Sequence, residues 1–255
     1  MRLIFSKNRA AQLDLLLRSL LQNAEHEMTK VIWDADVSSY SVAYELLPID
    51  RADWMLELSF DLRLRRALLE CPDPTVTFFC DDDVVFARVP QHDLLECYGT
   101  FSDQVLCFSL RLGKQNAQME WPGDLWNWQM LPRTDFGFPG SIDGHTFRVD
   151  DVLWMIDDRP ITNPTILETV LAERCELLAE KRPMMACYEQ QSVVGIPVNR
   201  VSESSGVPFG KEYPADAAWL NKRFLKGLRI SLDALDFSGV DGCHKEIKFE
   251  WEDRP

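Results

Sequence analysis

The chain has 255 residues, 46% apolar and 27% charged, the balance of a soluble globular protein long enough for one large core or two small ones. Its 41 acidic and 27 basic residues leave a net charge of −14. That excess argues against broad nucleic-acid or anionic-membrane surfaces, which need a positive field, so an anionic substrate would require local neutralisation by a metal or a few placed arginines.

Seven Cys, an odd number without C-x-x-C spacing, read as buried free thiols of a reducing compartment. The apolar run at Met1–Phe5 is too short for a signal peptide, and no stretch approaches the ~20 apolar residues of a membrane helix. The expected location is therefore cytoplasmic, with no integral membrane segment.

In chain order, Leu3–Phe5 predicts a strand and Ser6-Lys7-Asn8-Arg9 the turn into a helix. Leu13, Leu16, Leu17, Leu20, Leu21 and Ala24 fall on one helical stripe. Lys30–Trp33 predicts a second strand ending in Asp34 and Asp36, and Tyr40–Leu47 a short helix stopped by Pro48. From Ser59 a third helix carries Phe60, Leu64, Ala67, Leu68 and Cys71 on its buried side, with Arg63 and Arg66 together on another face. Thr75–Cys80 is too short and too β-branched for a helix. Bounded by Pro72 and Pro74, it reads as a strand buried on both faces of a parallel sheet. Strand and helix thus alternate over the first ~85 residues as in a doubly wound sheet.

That last strand runs into Asp81-Asp82-Asp83. Open α/β sheets take ligands at the carboxyl ends of their strands. Three adjacent acids beside an apolar strand are unfavourable unless a positive group joins them, and a divalent cation bridging to phosphate oxygens meets that need.

Beyond the acids, a helix is expected over 90–98 and a strand over 104–112. A long connection over 114–134 holds Trp121, Trp126 and Trp128, whose flat rings could stack on sugars or form a satellite core. Residues 135–148 are a Gly-rich turn in which Asp143 and His145 flank Gly144. Asn163-Pro164 opens a helix with Glu168 one turn in, at the edge of its apolar stripe. Met184–Val198 reads as a strand, 215–226 as a helix ended by Gly227. His244 precedes a strand-like alternation and could complete a carboxylate metal site.

Taken together, the turn Phe5–Arg9, the Asp after the second strand, the Arg-bearing third helix and the D-x-D at Asp81–Asp83 resemble the GT-A class of nucleotide-sugar glycosyltransferases, in its family-2-like and exostosin-like branches. The resemblance covers most of the chain. It implies a GT-A type α/β fold, a Rossmann-like mostly parallel sheet with helices on both faces, in one domain over 1–255. Residues 1–113 would bind the nucleotide sugar and 114–255 the acceptor. It further implies Mn²⁺ or Mg²⁺ on the D-x-D carboxylates Asp81 and Asp83, a site that His244 could complete. Phe5, Ser6, Arg9, Asp34, Asp36, Arg63, Arg66, Asp81 and Asp82 would meet the nucleoside diphosphate. The donor would be a UDP-sugar in the leading case, and the acceptor a carbohydrate or other hydroxyl. Glu168 corresponds to the acid that opens a helix and serves as base in inverting members. The usual second acid is replaced by Thr169, so Asp143 is a rival base, and inverting and retaining chemistry both stay open.

Two alternatives accompany this reading. Asp81-Asp82-Asp83-Val84-Val85 also fits the nucleophile loop of haloacid-dehalogenase-type phosphatases, with Asp81 attacking phosphorus. A non-catalytic sugar-binding protein on a GT-A fold is the other.

Overall fold

The computed structural model describes residues 1–48, 52–56, 59–89, 103–114, 123–200 and 210–255. Its first half alternates β1 (Arg2–Lys7), α1 (Ala10–Asn23), β2 (Thr29–Asp34), α2 (Ser38–Glu45), β3 (Asp53–Leu56), α3 (Phe60–Leu69) and β4 (Thr75–Cys80). There follow β5 (Asp83–Val85), β6 (Val105–Ser109), β7 (Leu125–Asn127), β8 (His145–Arg148), α4 (Val149–Ile156) and α5 (Pro164–Leu178). The chain closes with β9 (Met184–Cys187), β10 (Val193–Gly195), α6 (Ala217–Leu225), β11 (Leu228–Ile230) and β12 (Trp251–Asp253).

Eight strands form one sheet in the order β3-β2-β1-β4-β8-β6-β9-β7. Four neighbouring pairs are parallel, and three are antiparallel. Alternate residues of each strand feed cores on opposite faces. Leu3, Phe5, Val76 and Phe78 join Leu64, Val152, Leu167 and Leu171 of α3, α4 and α5 on one side. Ile4 and Phe79 join Leu13, Leu16, Ala43, Leu220 and Phe224 of α1, α2 and α6 on the other. The sequence thus delivers the expected α/β architecture, a Rossmann-like mostly parallel sheet with helices on both faces.

From β1 the chain moves outward through β2 to β3, then returns to lay β4 on β1's other side. The crevice at the carboxyl ends of β1 and β4 is therefore a topological switch point, the place where such sheets bind ligands.

Several expectations need correction. β4 is parallel to β1 but antiparallel to β8, so it is not flanked by parallel strands on both sides. The Gly-rich turn ends earlier than expected. Gly144, at φ +67°, turns the chain into β8, donates to the carbonyl of Phe78 and accepts from Leu110, so a four-residue segment without strand periodicity becomes a central strand. α4 was not anticipated, although Val149, Val152, Met155 and Ile156 share a face and are buried. The apolar run 184–198 splits into β9 and β10, which belong to different sheets. The alternation after His244 forms no regular strand until β12. Leu21 is half exposed, narrowing the stripe of α1. The helix expected over 90–98, Trp121 and the loop through Gly206 lie outside the described residues. Trp126 and Trp128 are buried in the core rather than offered to a ligand.

At the start of α5 the Asn163 side chain accepts from the amide of Ile166 with Pro164 in the first turn, as the sequence pattern predicts. Cys71, Cys80, Cys107, Cys175, Cys187 and Cys243 are free thiols. Among the described residues no helix is long and apolar enough to cross a membrane.

Candidate active site

The turn after β1 builds the nucleotide side of the crevice. Asn8 takes a left-handed conformation, φ 60°, which Asn tolerates better than most residues. Its side-chain amide donates to Asp36 at 2.7 Å and accepts from the Asp36 backbone at 2.9 Å, locking the ends of β1 and β2 together. Lys7 Nζ bridges Asp34 at 2.9 Å and Asp36 at 2.8 Å, and its hydrogen bond, with that of Asn8, lowers the Asp36 carboxyl. Asp34 and Asp36 thus sit at the carboxyl end of β2, held by the chain's own lysine. Trp33 stacks on Tyr44 at 4.6 Å, and the Tyr44 hydroxyl bonds Ser6 at 2.6 Å and accepts from the Arg9 amide at 3.1 Å. The Phe5 ring packs between Phe60 and Phe78, leaving its carbonyl to accept from the Asp81 amide.

The three consecutive acids lie one strand away and have separate environments. Asp81 is buried with both oxygens engaged: one accepts from Ser6 Oγ (2.8 Å) and the Lys7 amide (3.1 Å), the other from Arg9 Nη1 (2.9 Å). Burial pushes its carboxyl up and Arg9 opposes, leaving it at about 6. Arg9 also reaches Asp82 at 3.1 Å and ties the Asn199 side chain and carbonyl at 2.7 and 2.6 Å. The turn arginine is therefore a buried cross-link between the acids and the 196–200 segment. This leaves Asp81 neither an open metal ligand nor a free nucleophile of the kind the phosphohydrolase alternative requires.

Asp83 differs. It is 1% exposed, and among the described residues its carboxylate accepts from the Cys80 amide at 2.9 Å. Burial, then Asp143 and Asp82, raise its carboxyl well above the usual range. On β5 it pairs with Gly195 of β10, and Gly195 bridges in turn to His244. A Cβ on Gly195 would stand 2.7 Å from Cδ2 of the His244 ring. Directly opposed residues of an antiparallel pair project to the same face. The missing side chain therefore lets the imidazole lie over the strand beside Asp83.

A second acidic pair comes from the turn before β8 and from α5. Gly140 packs so closely on Ala172 that a Cβ would lie 2.5 Å from the Ala172 nitrogen, which brings Ser141–Asp143 against α5 one turn from Glu168. Arg111, the Ile142 amide and the Ser141 hydroxyl favour the ionised form of Glu168, but burial outweighs them. Burial, then Asp143, raise it to about 7. Asp143 receives Arg111 Nη1 at 3.1 Å and lies 3.9 Å from His244 Nε2. Burial alone would raise Asp143, but Arg111 and then His244 hold it below the ordinary carboxylate range. Loss of solvent, then Arg111, lower the His244 imidazole. Arg111 projects from the carboxyl end of β6, buried, with its Nη1 also 2.6 Å from Ser141 Oγ.

The fold therefore brings Asp83, Asp143, Glu168 and His244 together, with Asp81, Asp82, Arg9 and Ser6 next to them. It does not bring Arg66, whose partner Glu70 is shared with Lys30 at the amino end of β2. Arg63 lies one turn nearer the crevice, half-buried on α3. Arg65, on another face, donates to the carbonyls of Ile156, at the end of α4, and Arg159, just past it. Sequence reading missed Arg111 and Ser141. A lone Arg after a strand and a Ser in a Gly-rich turn carry no periodic signal, and only the approach of Gly140 to α5 gives them a role.

Next to Asp143, the buried Asp83 carboxylate is the oxygen donor that a hard cation takes, and His244 adds an imidazole of the kind transition metals accept. Among the described residues no three His, Cys, Asp or Glu side chains converge closely enough to enclose an ion.

No protein-family model and no curated protein matches the chain. Among solved structures it is similar to S. aureus TarS 1-349, with 11% identity over 75% of this chain and 59% of that one, at a TM-score of 0.43. It is also similar to the same TarS segment in complex with UDP-GlcNAc, with 13% identity over 73% and 58% and a TM-score of 0.40. A third is 4-diphosphocytidyl-2C-methyl-D-erythritol synthase, with 9% identity over 74% and 87% and a TM-score of 0.35. The chain spans about three fifths of the TarS segment, and a likeness at these scores carries no functional assignment.

Proposed function

We propose that the chain is a glycosyltransferase that moves a sugar from a nucleoside-diphosphate sugar, a UDP-sugar in the leading case, to an acceptor hydroxyl. One observation carries this reading: Asp81–Asp83 stand at the carboxyl ends of β1 and β4, at the sheet's switch point, with a second acid pair beside them. The Phe5–Ser6 turn, with Asp34 and Asp36, would contact the nucleoside. Asp83 and His244 would hold Mn²⁺ or Mg²⁺, leaving its remaining positions to water and donor phosphates, as these cations commonly require. When bound, the ion would neutralise the departing nucleoside diphosphate.

Between the rival bases, the geometry favours Glu168. Asp143 is held below the ordinary carboxylate range, chiefly by Arg111, and serves as a fixed negative charge. Glu168, poised at about 7, can take the acceptor hydroxyl's proton and release it again near neutral pH. Two acids whose surroundings push them apart in this way suit two different roles.

A thermal-shift screen of UDP-, GDP- and TDP-sugars with and without Mn²⁺ tests the binding half of this reading. A donor that binds the folded state raises Tm by mass action. The expected result is a shift that Mn²⁺ enlarges and that Asp83→Asn reduces to the metal-free level while still melting as a folded protein. Absence of any shift, together with hydrolysis of p-nitrophenyl phosphate, would favour the phosphohydrolase alternative instead.

A further inference from the structure

We propose that the outward face of α6 is a docking surface for an anionic phospholipid bilayer. In a chain of net charge −14, residues 217–230 hold Lys222, Arg223, Lys226 and Arg229 and no acid. Among the described residues Lys222, Arg223 and Lys226 have no acid partner. Arg223 lies instead over the rings of Trp219 and Trp251, at 4.4 and 5.1 Å, and Arg254, just past β12, lies over Phe224 at 4.6 Å. The acids around β12 are mostly taken: Glu250 by Lys248 at 2.9 Å and Glu252 by Arg229 at 2.6 Å. Asp253, which pairs with Leu228 across the strands, and Asp216, which caps α6 by accepting from the Ala218 amide at 2.6 Å, are the two left against four cations. Charges beyond ~8 Å are largely screened at physiological salt, so the sign of this face, not of the whole chain, governs a contact made there.

Cations near a helix's carboxyl end also answer the backbone dipole and alone would mark nothing. The second observation is apolar: Trp219 and Leu225 are 44% and 37% exposed on the same helix. At 3.6 residues per turn Trp219, Lys222, Arg223 and Lys226 fall within about 100° of one another, with Leu225 at the edge of that arc. Leu220, Asn221 and Phe224 are buried on the opposite side. An indole set among Lys and Arg suits the headgroup level of a bilayer, where the ring lies at the interface and the cations meet lipid phosphates. A nucleic acid would be met by the cations alone, and Arg223 already covers the Trp219 ring on which a base would stack. The face also adjoins the crevice. Arg9, which holds Asp81 and Asp82, ties Asn199, and Asn199 donates to the Ala215 carbonyl at 2.8 Å, two residues before α6. The inference stands apart from the transferase reading.

The test is co-sedimentation of the full chain with vesicles of phosphatidylcholine alone and of phosphatidylcholine mixed with phosphatidylglycerol. The expected result is binding to the mixed vesicles only, weakened by added salt. A basic residue near an anionic surface contributes roughly fivefold to partitioning, so the double variant Lys222→Ala, Lys226→Ala should bind roughly 25-fold more weakly. Lys181→Ala, past α5 on the sheet's other face, should bind as the wild type does. Tryptophan emission should move to the blue on adding mixed vesicles, and Trp219→Phe, which keeps a ring against Trp251, should lose that movement. Equal sedimentation with both kinds of vesicle, undiminished binding by the double lysine variant, or a blue shift that persists in Trp219→Phe overturns the proposal. So does binding of double-stranded DNA, lost in the lysine variant, without binding of vesicles, which would make the face a nucleic-acid contact.

Discussion

Burial, then the neighbouring Asp143, raise the carboxyls of Asp83 and Glu168, Glu168 to about 7 and Asp83 well above the usual range. An unfolded chain ionises the same groups near pH 4. Between that value and the folded one, the folded state holds more protons, so stability falls as pH rises. The histidines act in the opposite sense. His145, lowered to about 3 by burial and then Arg111, adds stability as pH rises from there to the unfolded value near 6.5, and nothing beyond it. Above about pH 6.5 the acids alone set the slope. Melting followed by circular dichroism should therefore show Tm declining as pH rises from about 6.5 through about 7 without added cation, with a shallower decline in Glu168→Gln. A Tm rising across that window would mean that the acids are not sheltered as described.

At the scale of elements, the site depends on glycines as much as on acids. Gly195 gives up a side chain so that His244 can lie beside Asp83, and Gly140 does the same so that the turn carrying Ser141 and Asp143 can pack on α5. Gly195→Ala would put a methyl 2.7 Å from the His244 ring. It should cost about 1–3 kcal/mol of stability, as overpacking does, and remove the Mn²⁺-dependent part of the nucleotide-induced shift. Retention of that part, measured by thermal shift, would show that His244 has no role at the ion. These contacts also mark the limit of what the sequence makes legible. The strand ending at Cys80, the Leu-rich α1 and the capped start of α5 carry strong local signals, and the structure has them where they were expected. β8 and β10 are three or four residues long and owe their conformation to neighbours remote in sequence, so no local pattern announces them. For the same reason Asp143 and Glu168 were legible as acids but not as partners, and Arg111 was not legible at all.

At the scale of the whole molecule, a chain of net charge −14 holds its candidate anion-binding crevice at the end of the sheet where acids already crowd. Arg9 neutralises the inner two of those acids and Arg111 the far one. Asp83, in the middle, has its carboxyl raised well above the usual range by burial and its acid neighbours, so a cation that restored its charge would also give a pyrophosphate a partner. Sequence alone pointed to this end of the sheet through the D-x-D and its place after a β-α-β-α-β run. It did not reveal that Arg9 occupies Asp81, because a turn residue can meet a strand end some seventy positions later only once β1 and β4 are neighbours. The measurement that tests the transferase reading most directly is release of UDP from a UDP-sugar, with Mn²⁺ and an acceptor, followed across pH for wild type and Glu168→Gln. The account predicts turnover that rises through about pH 7 in the wild type, and a kcat lower by roughly 10²–10⁴-fold in the variant at unchanged donor KM. Equal turnover by the two proteins, or a wild-type rate indifferent to pH between 6 and 8, would contradict it.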